Sequence, residues 1–378
     1  MDRFVALALL SFLAIQNGAS REPLTYFGNG EAVKVQRGGL VHTRLLSALR
    51  GKKGFDGLVG QIAGIARAHD ATLGDVAKLN LYVSNPNPAM QKSIRTQMAR
   101  HWPNAAKQPA LTIIPSALPG GGELAGDAVI AIADGGETGV TRFERDAAVL
   151  PASRDAVFVS GRAASGELAV ATAGTMTQLF DVLNLLGAGK KDVVQVKAFI
   201  KPMTGWETVE AEIEKSFGEI GPPPVVYVEW TSGSRATEIE LIAAAPKVEN
   251  PEGPISYFTP PADKPSPVFS RVARVHGDEI IYISGMTGPK VDTADAEIHS
   301  LFGELKRVSQ AAGSDLRHFA KATYYVSKDG VSKSLNALRP EYYDPKRPPA
   351  ASKVQVHSTG VPDRGMLIDM IAVPTGKE

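Results

Sequence analysis

The chain has 378 residues, with 41 lysines and arginines against 40 aspartates and glutamates, and it contains no cysteine. The near-zero net charge, without a basic block, argues against a nucleic-acid partner, because phosphate neutralisation needs clustered cations. Without disulfides, the fold must be stabilised by apolar burial alone. The seven histidines lack metal-ligand spacing, so we predict neither a metal site nor a cofactor.

The first twenty residues have the layout of a secretory signal. Asp2 and Arg3 form a short polar start, residues 4–15 are apolar, and Gly18 and Ser20 fit the small-residue positions of a cleavage site. The apolar run would span about 18 Å as a helix, against roughly 30 Å for a membrane core, which favours a cleaved signal over an anchor. We therefore predict a periplasmic or secreted protein with no membrane partner after cleavage.

A repeated helix face is the clearest feature of the remaining chain. The middle of the chain has apolar residues at i, i+3, i+4, i+7 and i+10, which predicts one buried helix face. The same face returns 122 residues later, and a weaker form of it lies 117 residues earlier. The three faces are Met176, Leu179, Phe180, Leu183 and Leu186; Ile298, Leu301, Phe302, Leu305 and Val308; and Val59, Ile62, Ala63 and Ala66. This register indicates three copies of one unit.

Each copy is predicted to run β–α–β–α–β–β, with glycine after the first helix and proline before the penultimate strand. We place a signal peptide at residues 1–20, a degenerate first module at 21–140, a second at 141–250 and a third at 251–378. The joints at 134–141 and 246–267 are rich in glycine and proline respectively. They are predicted as linkers, the second running extended over the surface.

This order of elements, the Ser-Gly that ends the opening strand and the closing strand 237–243 together resemble the RidA/YjgF family of imine deaminases, also called the L-PSP endoribonuclease family. The resemblance implies an α+β fold of the chorismate-mutase-like type. Family members are homotrimers with a ligand cleft at each subunit interface, so three tandem copies imply a covalent pseudo-trimer. We expect a monomer that acts as an intramolecular trimer, because fusion removes the concentration dependence of assembly.

The resemblance also indicates where the family's chemistry would lie. The family grips the carboxylate of a 2-imino acid with an arginine just after the proline of the penultimate strand, and a guanidinium suits a planar carboxylate. The matching positions in this chain are apolar, namely Leu111, Val226 and Ala351. Deamination by the ordinary family route is therefore not expected.

The family's water-positioning glutamate on the closing strand matches Glu240 and Asp369, while Ile130 is taken as its counterpart in the first copy. A solvated strand face would explain the two acids equally well. Because both acids lie in the later copies, we hypothesise that a surviving catalytic site lies where the second and third copies meet.

Arg44 and Arg162 lie at the ends of opening strands and are predicted ligand contacts. Either could bind an anion from the opposite cleft wall in place of the missing arginine. The alternative is an ordinary solvent-exposed arginine at the end of a strand, without a ligand. Ser160 and Ser284, with Thr43 as their presumed equivalent, are predicted as hydroxyls that cap a turn or touch ligand. They lack the surroundings of a nucleophile.

Three functions follow from these residues. The first is binding of a small carboxylate, carbonyl or aromatic metabolite in the inter-module clefts, without the family's deaminase activity. The second is a deaminase of 2-imino acids or enamines, or a related hydrolase, with a rebuilt site. The third is a structural or interaction protein. A ribonuclease is disfavoured by the near-zero charge and by the predicted export.

Overall fold

The protein is described by a computed structural model that covers residues 23–47, 54–133, 135, 139–231 and 233–376. The predicted signal peptide, residues 1–20, lies outside the described residues, as does part of the predicted linker 134–141. In the described ranges, no helix has both the length and the apolar character needed to cross a membrane.

The three thirds of the chain share one order of elements. The first third consists of β1 (Leu24–Phe27), β2 (Ala32–Gln36), β3 (Gly39–Thr43), β4 (Leu46–Ser47), α1 (Phe55–Ala68), β5 (Val76–Val83), α2 (Pro88–His101), β6 (Ala110–Pro115) and β7 (Leu124–Ile132). The second consists of β8 (Thr141–Phe143), β9 (Ala147–Pro151), β10 (Asp155–Arg162), α3 (Leu168–Leu185), β11 (Val193–Ile200), α4 (Trp206–Phe217), β12 (Val225–Glu229) and β13 (Thr237–Ala245). The third consists of β14 (Ile255–Phe258), β15 (Val272–Val275), β16 (Glu279–Met286), α5 (Ala294–Ala311), β17 (Phe319–Val326), α6 (Asp329–Tyr342), β18 (Ala350–Gln355) and β19 (Met366–Ala372).

We call β3–β7, β10–β13 and β16–β19 the first, second and third units. Each has the predicted β–α–β–α–β–β arrangement, with the two-residue strand β4 added in the first unit, so the predicted α+β class with three copies is confirmed. The helices form where the sequence predicts them. In α3, for example, Met176, Leu179 and Leu183 are fully buried against the sheet, as their spacing requires. The N-terminus of α2 is capped by Asn87, whose side chain accepts a hydrogen bond from the Met90 amide.

Each unit builds a sheet that is completed by a hairpin from outside the unit. The strand orders are β6-β5-β7-β3-β9-β8, β12-β11-β13-β10-β15-β14 and β1-β2-β16-β19-β17-β18. The hairpin that follows each of the first two units therefore joins that unit's sheet. The hairpin at the start of the chain joins the sheet of the third unit, where Val33 pairs with Tyr282. The three units are thus closed into a ring.

The prediction that residues 246–267 form a surface linker is wrong in part. Ile255–Phe258 is strand β14, and Ile255 is buried in an apolar cluster that also contains Phe158 and Tyr282. The prolines flank this strand rather than interrupt it, so they do not prevent its pairing with β15.

The three sheets meet face to face, with the helices outside. Every unit has its own helix–sheet core, and two further apolar clusters lie where the sheets meet. Along β5, the residues that face this contact run from Tyr82 through Asn80 and Lys78 to Ala77. Tyr82 and Ala77 belong to the two apolar clusters, so a layer of polar side chains is enclosed between them.

Candidate functional site

Three acids hold the same place in the polar layer. The closing strands β7, β13 and β19 pair with β5, β11 and β17 in one register, which makes Asp127 the equivalent of Glu240 and Asp369. The prediction that Ile130 is the first-copy counterpart is wrong. Ile130 lies three residues further on and packs in the helix–sheet core. All three units therefore keep an acid at this position.

Two of these acids form buried ion pairs that join different units. Asp369 accepts hydrogen bonds from the Lys78 ammonium at 2.5 Å and from the Thr112 hydroxyl at 2.9 Å. Glu240 is paired in the same way with Lys321, at 2.5 Å, and with the Ser352 hydroxyl. Glu240 thus links the second unit to the third, and Asp369 links the third to the first.

Burial and ion pairing both change the pKa values of these buried residues. Burial lowers the pKa of Lys78, and the facing carboxylate opposes that shift. Burial by itself would raise the pKa of Asp369, but Lys78, the more distant charge of Lys197 and the Thr112 hydroxyl together hold it below its usual value. Both predicted water-positioning acids line a central cavity between the sheets, and their catalytic role stays a prediction.

The junction between the first and second units lacks this ion pair. Gln195 stands where the other units have Lys78 and Lys321, and Val226 stands where they have hydroxyls. Asp127 turns to its own unit and accepts hydrogen bonds from the Asn80 amide at 3.1 Å and from the Tyr82 hydroxyl at 2.7 Å. The three-fold repetition is therefore broken at one junction.

The strand register also locates the equivalents of the family's arginine. Leu79 pairs with Leu111, and the corresponding pairs place Val225 and Ala351 at the same position. The predicted residue Val226 is off by one, and its side chain is buried in the apolar cluster around Tyr82. The corrected position is also apolar, so no unit carries an arginine there.

The two predicted serines tie neighbouring units together. Ser284 accepts a hydrogen bond from the Leu111 amide at 2.8 Å, and Ser160 accepts one from the Ala351 amide at 2.7 Å. Each hydroxyl also donates to a backbone carbonyl, that of Gly30 or Ser270, at 2.5 Å. Both serines thus bind backbone across an inter-unit cleft.

In the first unit, the place of these serines is taken by Arg44 rather than by Thr43. The amide of Arg44 bonds to the hairpin carbonyl of Asp146, as the amides of Ser160 and Ser284 bond to the hairpins beside them. The next residue, Leu45, donates its amide to the carbonyl of Val225 at 3.0 Å. An arginine therefore lies beside the position from which the family's arginine is missing.

A cavity of about 370 Å³ opens at this first–second cleft. Trp206 and Tyr227 form an aromatic wall with ring centroids 6.0 Å apart, and Arg44 and Arg145 bring two positive charges. The Tyr227 hydroxyl is buried and has no hydrogen-bond partner among the described residues. The other lining residues are mostly apolar, including Leu45, Leu118, Pro222, Pro223 and Val225.

The two arginines are held by exposed carboxylates. Arg44 Nε lies 2.5 Å from Asp146 Oδ1, with both side chains about half exposed, and Arg145 pairs with Glu214. Ion pairs of this kind contribute only about 0–1 kcal/mol, so an incoming anion can replace the protein carboxylate at little loss.

The other two clefts differ from the first. Ser284, Leu111 and Arg95 line a cavity of about 330 Å³ between the third and first units. At the second–third cleft, the predicted contact Arg162 is already paired with Asp263, a residue of the loop before β15. Both predicted arginines are thus ion-paired, but the pair of Arg44 is about half exposed and that of Arg162 is mostly buried.

Glu238 is a further carboxyl at the second–third cleft. Its side chain lies directly against Gly161, where any larger residue would collide with the carboxyl group. Burial, and then the nearby charge of Glu240, raise the pKa of Glu238 to about 7. Two acids, Glu238 and Glu240, therefore share this junction.

Stretches of the chain match solved structures of one family. A YjgF family member from Neisseria meningitidis is 24% identical over 32% of this chain and 97% of its own, with a TM-score of 0.25. A YjgF/YER057c/UK114 family member from Mycobacterium tuberculosis is 27% identical over 26% and 83%, with a TM-score of 0.23. The Rid family protein YyfB from Yersinia pestis is 19% identical over 32% and 98%, with a TM-score of 0.30.

The chain resembles solved structures of the RidA/YjgF family. Each match spans a quarter to a third of this chain and most of the matched one, and the resemblance predicted from the sequence is confirmed. No protein-family model and no curated protein matches the sequence.

Proposed function

We propose that the protein binds a small metabolite with a carboxylate and an aromatic or branched apolar body in the first–second cleft. One observation carries the proposal. Arg44 stands where the other units have serine, and it lies beside Val225, the position that lacks the family's arginine. A guanidinium is thus offered to the same cleft from its opposite wall.

The chemistry of the cavity supports a ligand of this kind. Its volume falls within the range of small-molecule sites, which are mostly apolar with a few convergent polar groups. Trp206 and Tyr227 offer ring surface to an aromatic body, and the unpartnered Tyr227 hydroxyl offers a hydrogen bond. Arg44 and Arg145 would hold the carboxylate at the mouth.

We propose binding without the family's imine deamination. Leu111, Val225 and Ala351 cannot hold the carboxylate of a 2-imino acid in the ordinary pose. Glu240 and Asp369 are engaged by buried lysines, which leaves little freedom to position a water. Hydrolysis of 2-iminobutyrate by the purified protein should therefore equal the rate in buffer, and a clear acceleration would contradict this proposal.

The binding proposal is tested by titrating phenylpyruvate and benzoate, with benzamide as the neutral counterpart, and following thermal unfolding and calorimetry. We expect the acids to bind and Arg44→Ala to weaken them at least tenfold, since a charge-assisted hydrogen bond is lost. Arg162→Ala is the matched control, because Arg162 and its partner Asp263 are mostly buried, whereas Arg44 and its partner Asp146 are about half exposed. Equal affinity of Arg44→Ala and the unaltered protein would refute the assignment.

A rebuilt hydrolase at the second–third junction is the second candidate function. It is favoured by Glu238, whose raised pKa suits a general acid or base near neutral pH, beside Glu240, which is paired with Lys321. Its test is a screen of imine and enamine substrates. Activity lost in Glu238→Gln and kept in Arg44→Ala would support it, and no turnover of any substrate would exclude it.

We also propose that the mature protein is exported and acts as a monomer. The signal-like layout of residues 1–20 supports export, and the closure of three units by one chain supports a monomer. N-terminal sequencing of protein from separated cell fractions should find a start near residue 21. Light scattering should give the mass of one chain.

A further inference from the structure

A second cavity lies on the axis where the three units meet, away from the first–second cleft. It measures about 40 Å³, room for about three water-sized molecules. All three units contribute to its lining, through His42 and Asn80, Lys197, and Tyr282 and Thr323. These five side chains are all at least nine-tenths buried.

Several polar groups around this cavity have no partner among the described residues. They are both ring nitrogens of His42, the Asn80 side-chain oxygen and the Tyr282 hydroxyl. Buried polar groups in native proteins are nearly always hydrogen-bonded, because an unmade bond costs about 1–3 kcal/mol. Four such atoms around one small space indicate that a bound species completes them.

Lys197 gives this cavity its electrostatic character. The neighbouring lysines, Lys78 and Lys321, are each paired with an acid at 2.5 Å. Within the described part of the chain, the Lys197 ammonium has neither a carboxylate within 4.0 Å nor a hydrogen bond. Asp127, an acid close enough for the charge of Lys197 to lower its pKa, is bonded to Asn80 and Tyr82 instead. A buried ammonium needs a compensating charge or several acceptors.

We propose that this cavity binds one small monovalent anion of the size of chloride, held by the Lys197 ammonium, a His42 N–H and the Tyr282 hydroxyl. All three are hydrogen-bond donors, and a spherical anion can accept from several donors at once. A water molecule beside the anion would donate to the Asn80 oxygen. The bound charge replaces the carboxylate partner that Lys197 lacks.

The state of the surrounding groups agrees with this assignment. Burial, with Lys197 adding to it, lowers the pKa of His42 to about 3, so the ring is neutral and keeps one N–H to donate. Burial raises the pKa of Asp127, although the nearby Lys197 opposes this shift. Lys78 and Lys321 are each paired with an acid, which leaves Lys197 as the lining lysine without an ion-pair partner among the described residues.

Crystals of the full protein grown or soaked in bromide provide the direct test. We expect one anomalous peak among Lys197, His42 and Tyr282, since bromide replaces chloride and scatters anomalously. Density in the cavity that refines as water, with no anomalous signal, would overturn the proposal.

Thermal unfolding in sodium chloride and in sodium gluconate at equal ionic strength provides the solution test. Binding to the folded state should raise the melting temperature by about 1–3 °C for each tenfold rise in chloride above the half-saturation point. His42→Phe, which copies the equivalent residue Phe158, and Lys197→Met should abolish the chloride response. The control is Lys215→Met, a lysine with a 78% exposed side chain.

The outcomes of this second test are distinct. A chloride response that survives both cavity variants would place the ion elsewhere and refute the site. Should Lys197→Met fail to fold, His42→Phe and the bromide map still decide the question, because neither depends on that variant. Identical melting in chloride and gluconate would also count against the proposal.

Discussion

Lys321 on β17 and Glu240 on β13 face each other at 2.5 Å across the junction of the second and third units, with both side chains less than a tenth exposed. Lys78 and Asp369 repeat the arrangement at the next junction. Pairs buried this deeply are strongly destabilising when one member is lost, because the other charge is left without compensation. They therefore fix which units adjoin.

Removing one member of such a pair should destabilise the protein severely. We expect Lys321→Met to lower the free energy of unfolding by about 3–5 kcal/mol, since Glu240 would stay buried and unpaired. Urea denaturation measures the loss. The double variant Lys321→Met with Glu240→Gln should recover a large part of it. A double variant no more stable than the single one would show that the pair is not the source of the effect.

Glu238 should make stability depend on pH. Its pKa in the folded protein is about 7, above its ordinary value near 4.5. The folded state therefore binds the proton more tightly, and stability falls as pH rises from about 4.5 to 7, then levels off. Glu238→Gln should remove this fall, so its melting temperature should exceed that of the unaltered protein most at pH 8 and least at pH 4. The exposed Glu252→Gln is the control, and an unchanged pH profile would refute the prediction.

Exchanging the two cleft positions tests whether the guanidinium has moved from one wall to the other. Val225→Arg alone would add a third positive charge to the cleft that holds Arg44 and Arg145, and we expect it to lower stability. The double change Arg44→Ser with Val225→Arg recreates the serine of the other units and the family's arginine. It should still bind benzoate, with affinity within about tenfold of the unaltered protein, as calorimetry can show. Complete loss of binding would mean that the guanidinium must come from the cleft wall that carries Arg44.

The β1–β2 hairpin should be required for a monomeric protein. Val33 and Val35 are fully buried in its pairing with β16, and their removal would expose a sheet edge that can pair with another chain. We expect a chain starting at residue 38 to self-associate or aggregate in light scattering. A chain starting at residue 23 is the control. A truncated chain that stays monomeric with unchanged melting would contradict the prediction.

Asp155 should be a structural anchor of the second unit. Its buried carboxylate accepts hydrogen bonds from Arg274 and His276, both at 2.8 Å, and His276 in turn bonds to Ser256 at 2.9 Å. Asp155→Ala would leave two partly buried donors without their acceptor. We expect a loss of about 3 kcal/mol in the free energy of unfolding, against less than 1 kcal/mol for Ser256→Ala.

The sequence predicts the local part of this architecture well. Helix faces depend on apolar spacing within one segment, so α3 and α5 follow directly from their residues. Strand register is harder to predict, because it depends on pairing between distant segments. Three consecutive prolines, 222–224, made the start of β12 ambiguous by one residue, so Val226 was predicted in place of Val225. Asp127 was missed because it lies 113 residues before Glu240, whereas the helix faces of the first two copies are 117 residues apart.

Nothing in the sequence around β1 and β2 indicates that this hairpin joins the sheet of the third unit. Only Arg37 and Gly38 separate β2 from β3, yet the two strands lie in different sheets. The cavity around Tyr227 was not predicted for the same reason, since its walls come from residues far apart in the chain. The alternation of Lys78, Asn80 and Tyr82 along β5 was visible, but without the neighbouring sheets it reads as an ordinary solvated face.

Because the first hairpin pairs with the last unit, the polypeptide is in effect a closed loop that has been cut once. Leu24 and Val373, near its two ends, even pack in the same apolar cluster. The place of the cut is then arbitrary with respect to the final structure. Joining the ends through a short spacer and opening the chain in the exposed turn at 248–252 should give a circular permutant with the same three sheets.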